Sequence, residues 1–146
     1  MAITYITENV NLPRRLKKRQ ISKWIKEIIH MHGKKTGDIA YVFCDDERIL
    51  DINTRYLKHT YYTDIITFDY TEGDTVFGDI FISLDTVKDN AVRYKTNFDE
   101  ELRRVIIHGI LHLCGYEDNT RVRKKDMRKR EDEAMDLFVR RRSDEI

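Results

Sequence analysis

Apolar residues recur along the chain in two rhythms, and the switches between them mark out the elements. Residues 3–10 alternate loosely between polar and apolar and predict a first strand. Leu16, Ile21, Trp24, Ile25, Ile28 and Ile29 then fall at helical spacing with basic residues on the other side. That pattern predicts a helix opened by Pro13 and ended by His32-Gly33. The continuous apolar run 39–44 predicts a buried strand. Asp45 or Asp46 can cap a second helix, with Ile49, Leu50, Asn53 and Leu57 along one stripe. Residues 64–70 and 76–83 are rich in β-branched and aromatic residues and flank a Glu72-Gly73-Asp74-Thr75 turn, so they predict a hairpin. Residues 84–96 read as a third helix. A fourth, over 99–116, is entered through Asn97 and Glu100, which have capping-box character. It is apolar nearly all round over 105–114 and is expected to be the buried central helix. A long charged helix over 120–142 closes the chain, its sparse apolar contacts being Val122, Met127, Met135, Leu137 and Phe138.

Mixed in this order, the elements predict an α+β fold, a small mostly mixed sheet of about four strands packed with about five helices. At 146 residues, 1–146 is expected to form a single domain with a real core. Charged residues make up 36% of the chain, yet the net charge is only +1. The balance hides two basic clusters, Arg14, Arg15, Lys17, Lys18, Arg19, Lys23 and Lys26, and Arg121, Arg123, Lys124, Lys125, Arg128, Lys129 and Arg130. Each reads equally as a solvated helix face or as a contact for nucleic-acid phosphates. The two cysteines, Cys44 and Cys114, lie in apolar runs and read as buried free thiols rather than a disulfide framework. The first residues show neither a basic leader nor a long apolar core, and no stretch approaches membrane-spanning length. A cytoplasmic, membrane-free protein is the expectation.

The chemistry concentrates in His108-Gly109-Ile110-Leu111-His112-Leu113-Cys114-Gly115-Tyr116-Glu117-Asp118. Histidines four apart on a helix share a face. Two core imidazoles satisfied by carbonyls would look the same, but burying both in an apolar helix without a role costs free energy. Gly115 permits a reversal, and Asp118 then arrives ten positions after His108. Two imidazoles and a returning carboxylate make a three-ligand site for one divalent ion, zinc being expected, with a fourth position for chemistry. The carboxylate lowers the Lewis acidity of such a site and opens it to harder ions. Zinc peptidases place a Glu general base beside the first His of this zincin-like helix. This chain has Gly109 there, which counts against peptide hydrolysis. No residue is assigned as general acid or base.

Through His108, Gly109, Leu111, His112, Leu113, Gly115 and Tyr116 the run resembles the signature of the YbeY family of endoribonucleases, ribosomal RNA maturation factors. Glu117 and Asp118 stand where that signature has Asp and His. Ile52-Asn53-Thr54-Arg55-Tyr56-Leu57, Tyr62-Thr63-Asp64-Ile65-Ile66-Thr67-Phe68 and Gly78-Asp79-Ile80 resemble its further blocks in matching order. Leu57 falls on a family Arg thought to handle the phosphodiester, and Tyr62 on a family Pro.

The resemblance implies a metal-dependent, single-strand-specific endoribonuclease of small-subunit ribosomal RNA maturation and ribosome quality control. Ribosomal RNA and the ribosome would be its partners, and DNA would not. Arg55, Lys58 or His59 could replace the missing cation as substrate contacts. Tyr56, Tyr61, Tyr62 and Tyr116 could stack on unpaired bases, although Tyr116 is expected to pack. Two other readings stay open: a metal-dependent hydrolase of another substrate such as a peptide, and a non-catalytic ribosome-associated RNA-binding protein with a structural metal, which Leu57 would favour.

Overall fold

The computed structural model describes residues 2–57 and 63–144, with side chains through residue 141. Its elements are β1 (Ile3–Thr7), α1 (Lys18–Met31), β2 (Lys35–Cys44), α2 (Asp46–Leu57), β3 (Ile65–Asp69), β4 (Thr75–Ser83), α3 (Leu84–Arg93), α4 (Phe98–Leu113) and α5 (Arg121–Asp144). The strands form one four-stranded sheet in the order β1-β2-β4-β3. β2 runs parallel to both β1 and β4, while β3 and β4 form the antiparallel hairpin expected around Glu72-Gly73-Asp74-Thr75. A mixed sheet with five helices is the α+β arrangement that the order of elements implied.

Strand alternation sorts the core into two faces. Tyr41, Phe43, Ile80 and Ile82 join Trp24, Ile25 and the α4 residues Val105, Ile106 and Ile110 in the main cluster. Ile66 and Phe81 join Ile49 and Ile52 of α2 in a smaller one. α1, α4 and α5 therefore cover one face and α2 the other. Two aromatic side chains reach across the core to backbone carbonyls: Tyr41 Oη donates to the Ile106 carbonyl at 3.0 Å, and Trp24 Nε1 to the Ala134 carbonyl at 2.8 Å.

α4 lies close on the hairpin because two glycines leave it room. A β-carbon at Gly78 would stand 2.8 Å from the Phe68 carbonyl oxygen and 2.9 Å from Leu113 Cδ1. One at Gly109 would stand 2.9 Å from Ile65 Cδ1 and 3.2 Å from Ile80.

Several boundaries differ from the sequence expectation. Pro13 opens a turn closed by Leu16 N–H to the Pro13 carbonyl at 3.1 Å, and the helix itself starts at Lys18. Its first turn holds no acid and Lys17 gives no side-chain cap, so the basic cluster opposes the helix dipole there. β1 stops at Thr7, before Asn9 at φ 59°. β2 begins four residues early, at exposed Lys35, because pairing with Thr75 of β4 extends it. α3 ends at Arg93, where Lys95 takes φ 55°. Leu57 is exposed rather than part of the α2 stripe, which is Ile49, Ile52 and Asn53. Val122 is likewise 79% exposed, and the buried stripe of α5 is Met127, Glu131, Ala134, Met135 and Phe138. Both thiols are buried and free as expected. Burial pushes Cys44 up to about 12 and Cys114 up to about 11.

Candidate metal centre

α4 is closed at both ends by its own sequence. Asn97 Oδ1 accepts from Glu100 N–H at 2.8 Å, and Asp99, Glu100 and Glu101 suit the positive end of the dipole. At the other end Gly115 takes φ 103°. Gly115 N–H bonds the His112 carbonyl at 2.9 Å and Tyr116 N–H the Leu111 carbonyl at 3.1 Å. This paired closure turns the chain back over the last turn of the helix and delivers Asp118 to the histidines.

The three ligand candidates then meet. His108 Nε2 lies 2.9 Å from His112 Nε2, and Asp118 Oδ2 lies 3.4 and 3.6 Å from those nitrogens. Among the described residues these three are the group of His, Cys, Asp and Glu whose ligand atoms all lie within 4.8 Å of one another. Ligand atoms around a tetrahedral zinc at about 2.05 Å stand about 3.3 Å apart, so the observed separations fit a divalent ion. Side-chain exposures of 21, 25 and 40% for His108, His112 and Asp118 leave the carboxylate at the mouth of the site.

The surroundings polarise the pair in opposite senses. Burial disfavours a charge on His108, but Glu131, hydrogen-bonded to Nδ1, outweighs it with help from Asp118 and Asp64 and raises the pKa above the ordinary value. Burial and then the charge of His108 lower that of His112. Glu131 Oε2 lies 2.6 Å from His108 Nδ1. Arg104 in turn donates to Glu131 Oε1 at 3.0 Å and to Asp132 Oδ1 at 2.8 Å. Asp64, just before β3, is held above the usual carboxylate range by burial, against the pull of His108.

Beside the site, Tyr116 packs, as expected. Its hydroxyl and His32 Nδ1 are 2.9 Å apart, and the Arg130 guanidinium lies 4.0 Å over its ring. Glu117 turns outward to Arg123 at 2.8 Å. Arg55 sits on the exposed end of α2, held by Asp51 at 2.7 Å, and no contact with the histidine pair accompanies it. Tyr56 is exposed, edge-on to Phe68. Lys58, His59, Tyr61 and Tyr62 lie outside the described residues.

Two neighbours of the pair escaped the sequence reading. Asp64 lies within the stretch 62–68, where spacing alone gives it no role. Glu131 stood in a charged helix, where only its i+4 spacing from Met127 and i−4 from Met135 pointed inward. The structure also explains Gly109. Even a β-carbon there stands 2.9 Å from Ile65 Cδ1 and 3.2 Å from Ile80, so a Glu at this position would force those side chains to move.

Fold and site together define an α+β protein in which a buried helix and the turn after it bring two histidines and a carboxylate together as a candidate metal site. The family model described as Endoribonuclease YbeY matches residues 5–139. A Parabacteroides distasonis protein of that description is 55% identical over 138 residues, covering 94% of this chain and 96% of the relative. One from Bacteroides thetaiotaomicron is 53% identical over 135 residues, covering 92 and 98%. The chain belongs to the YbeY family. Its fold is also that of the solution structure of TM1509 from Thermotoga maritima, with TM-score 0.65 and 24% identity over 98% of this chain and 95% of that one.

Proposed function

We propose that the protein is a metal-dependent endoribonuclease that cuts single-stranded ribosomal RNA in small-subunit maturation and ribosome quality control. Membership of the YbeY family supports the activity. The observation that carries the chemistry is the convergence of His108, His112 and Asp118 on one point. In this reading these residues hold one divalent ion, zinc being the expected one. When bound, such an ion supplies a Lewis acid for a phosphoryl oxygen and brings water towards deprotonation near neutral pH.

The chain's own residues do the rest. The histidines enter from a helix clamped on the sheet, so their geometry is set before substrate arrives. Asp118, the most exposed of the three, borders the approach. α5 starts just after it, and its exposed Arg121, Lys124, Lys125 and Lys129 face a phosphodiester with positive charge. Tyr56 offers an exposed ring for an unpaired base. Arg55 and Lys58 remain proposed substrate contacts, Arg55 only after exchanging Asp51 for phosphate. RNA and the ribosome are the partners of this reading and the cytoplasm its place. No helix among the described residues is long and apolar enough to cross a membrane.

Metal analysis of the purified protein, with cleavage of unstructured RNA before and after chelation, tests the proposal. Bound zinc and chelator-sensitive cleavage, both lost in His112→Ala, are expected. Cleavage of a protein substrate instead, or unfolding on chelation with RNA cleavage never observed, would overturn it.

A further inference from the structure

Glu131 is a carboxylate buried in a helix that is otherwise charged on its outside. Such a group is costly unless its charge is met, and two partners from α4 meet it. Arg104 takes one oxygen and His108 Nδ1 the other. An imidazole binds a metal only through a nitrogen that carries no proton, and the partner of the other nitrogen decides which one that is. A carboxylate has no proton to donate, so at 2.6 Å it draws the proton to Nδ1. Nε2 is then the free nitrogen, and it points to His112 Nε2 and Asp118. His112 has its own backbone hydrogen bond, with Tyr116 of the following turn. His108 has its partner on a different helix.

From this geometry we infer that Glu131 is the positioning residue of the metal centre. It fixes the tautomer and ring orientation of His108, and Arg104 keeps its carboxylate aimed. α5 is thereby part of the site, although it supplies no ligand. The inference rests on the reading that the three converged residues bind a divalent ion. It goes beyond that reading by naming what makes one of them competent.

A merely structural tie between α4 and α5 predicts a different outcome, and Asp132 separates the two. It also receives Arg104, but its side chain is 55% exposed and it has no contact with His108. The test uses the full chain, zinc alone as the probe, and competition with a chelator. Glu131→Gln is expected to weaken zinc binding about 10–100-fold, the usual cost of losing such a partner, with Asp132→Asn within about twofold of the unchanged protein. Nitrogen-15 NMR of the imidazoles in metal-free protein should show a proton fixed on Nδ1 of His108, and a mixture of tautomers in Glu131→Gln. If Glu131→Gln does not fold, Glu131→Asp serves, keeping the charge while drawing it back from Nδ1, and the same loss of affinity is expected. Unchanged affinity and tautomer in these variants, or an equal loss in Asp132→Asn, would overturn the inference alone. Absence of zinc binding by the unchanged protein would overturn the metal reading with it.

Discussion

α4 and α5 pack side by side at the candidate metal centre, and their sequences display its residues in opposite ways. α4 is apolar nearly all round, so its two histidines stand out against their background. α5 is charged over most of its surface, and Glu131, the buried charge among its described side chains, is hidden among its like. A polar residue is informative in a helix whose burial is evident from sequence. In a helix where charge is the rule, burial must be seen before any one charge means something.

The comparison breaks first if α4 does not depend on its tight seat. Gly109→Glu would drive a carboxylate between Ile65 and Ile80, combining overpacking with an unpaired buried charge. A loss of more than about 4 kcal/mol is expected, read as failure to fold or as a collapse of the urea midpoint. Gly109→Ala is the milder version: crowding costs about 1–3 kcal/mol, offset by up to about 1 kcal/mol of helix propensity.

Next in size is the contrast between a candidate ligand, His112, and Glu131, the partner of the other histidine. His112→Ala should abolish zinc binding and RNA cleavage beyond the 10–100-fold expected for Glu131→Gln, measured by chelator competition and single-turnover cleavage. Equal losses would mean that α4 and α5 contribute alike, contrary to the structure.

On the outer face of α5 the effect should be smaller and electrostatic. Lys124, Lys125 and Lys129 are exposed, and replacing all three by Ala should weaken RNA binding while leaving zinc affinity unchanged. Each lost phosphate contact should reduce the salt slope for single-stranded RNA by about 0.7. An unchanged slope would return this cluster to a solvated helix face.

The smallest effect concerns Asp64. Its folded pKa is raised by burial, so its contribution to stability is full below the unfolded carboxylate value and is lost as pH rises through the folded one. Asp64→Asn should therefore melt higher than the unchanged metal-free protein at neutral pH, and the gap should close as pH falls towards 4. A gap that widens on acidification would reverse the sign and place a stabilised charge there instead.

Much of the fold and part of the site were legible before the structure, for local reasons. The cap at Asn97 and the stop at Gly115 each depend on residues within a turn of the helix end, so residue identity alone marks them. The β3–β4 hairpin is joined by a short turn and is likewise local. The pairing of His108 with His112 follows from helical pitch. Where packing over distance intervened, the reading missed: Val122 faces solvent, and Leu57 leaves the α2 stripe. Pro13 opens a turn instead of a helix, and α1 starts only at Lys18, with no side-chain cap to mark that boundary.

The sequence by itself determined the helices, the hairpin, the family and the three candidate ligands, because periodicity, caps and motif spacing act within a few residues. The tertiary structure decided what those elements meet. It placed β2 between β1 and β4, seated α4 on the hairpin through Gly78 and Gly109, and brought Asp118 to the histidines. It also set Glu131 against His108 across 23 positions of chain. Such contacts are chosen by the burial of whole faces against one another, and no short stretch of chain encodes that choice.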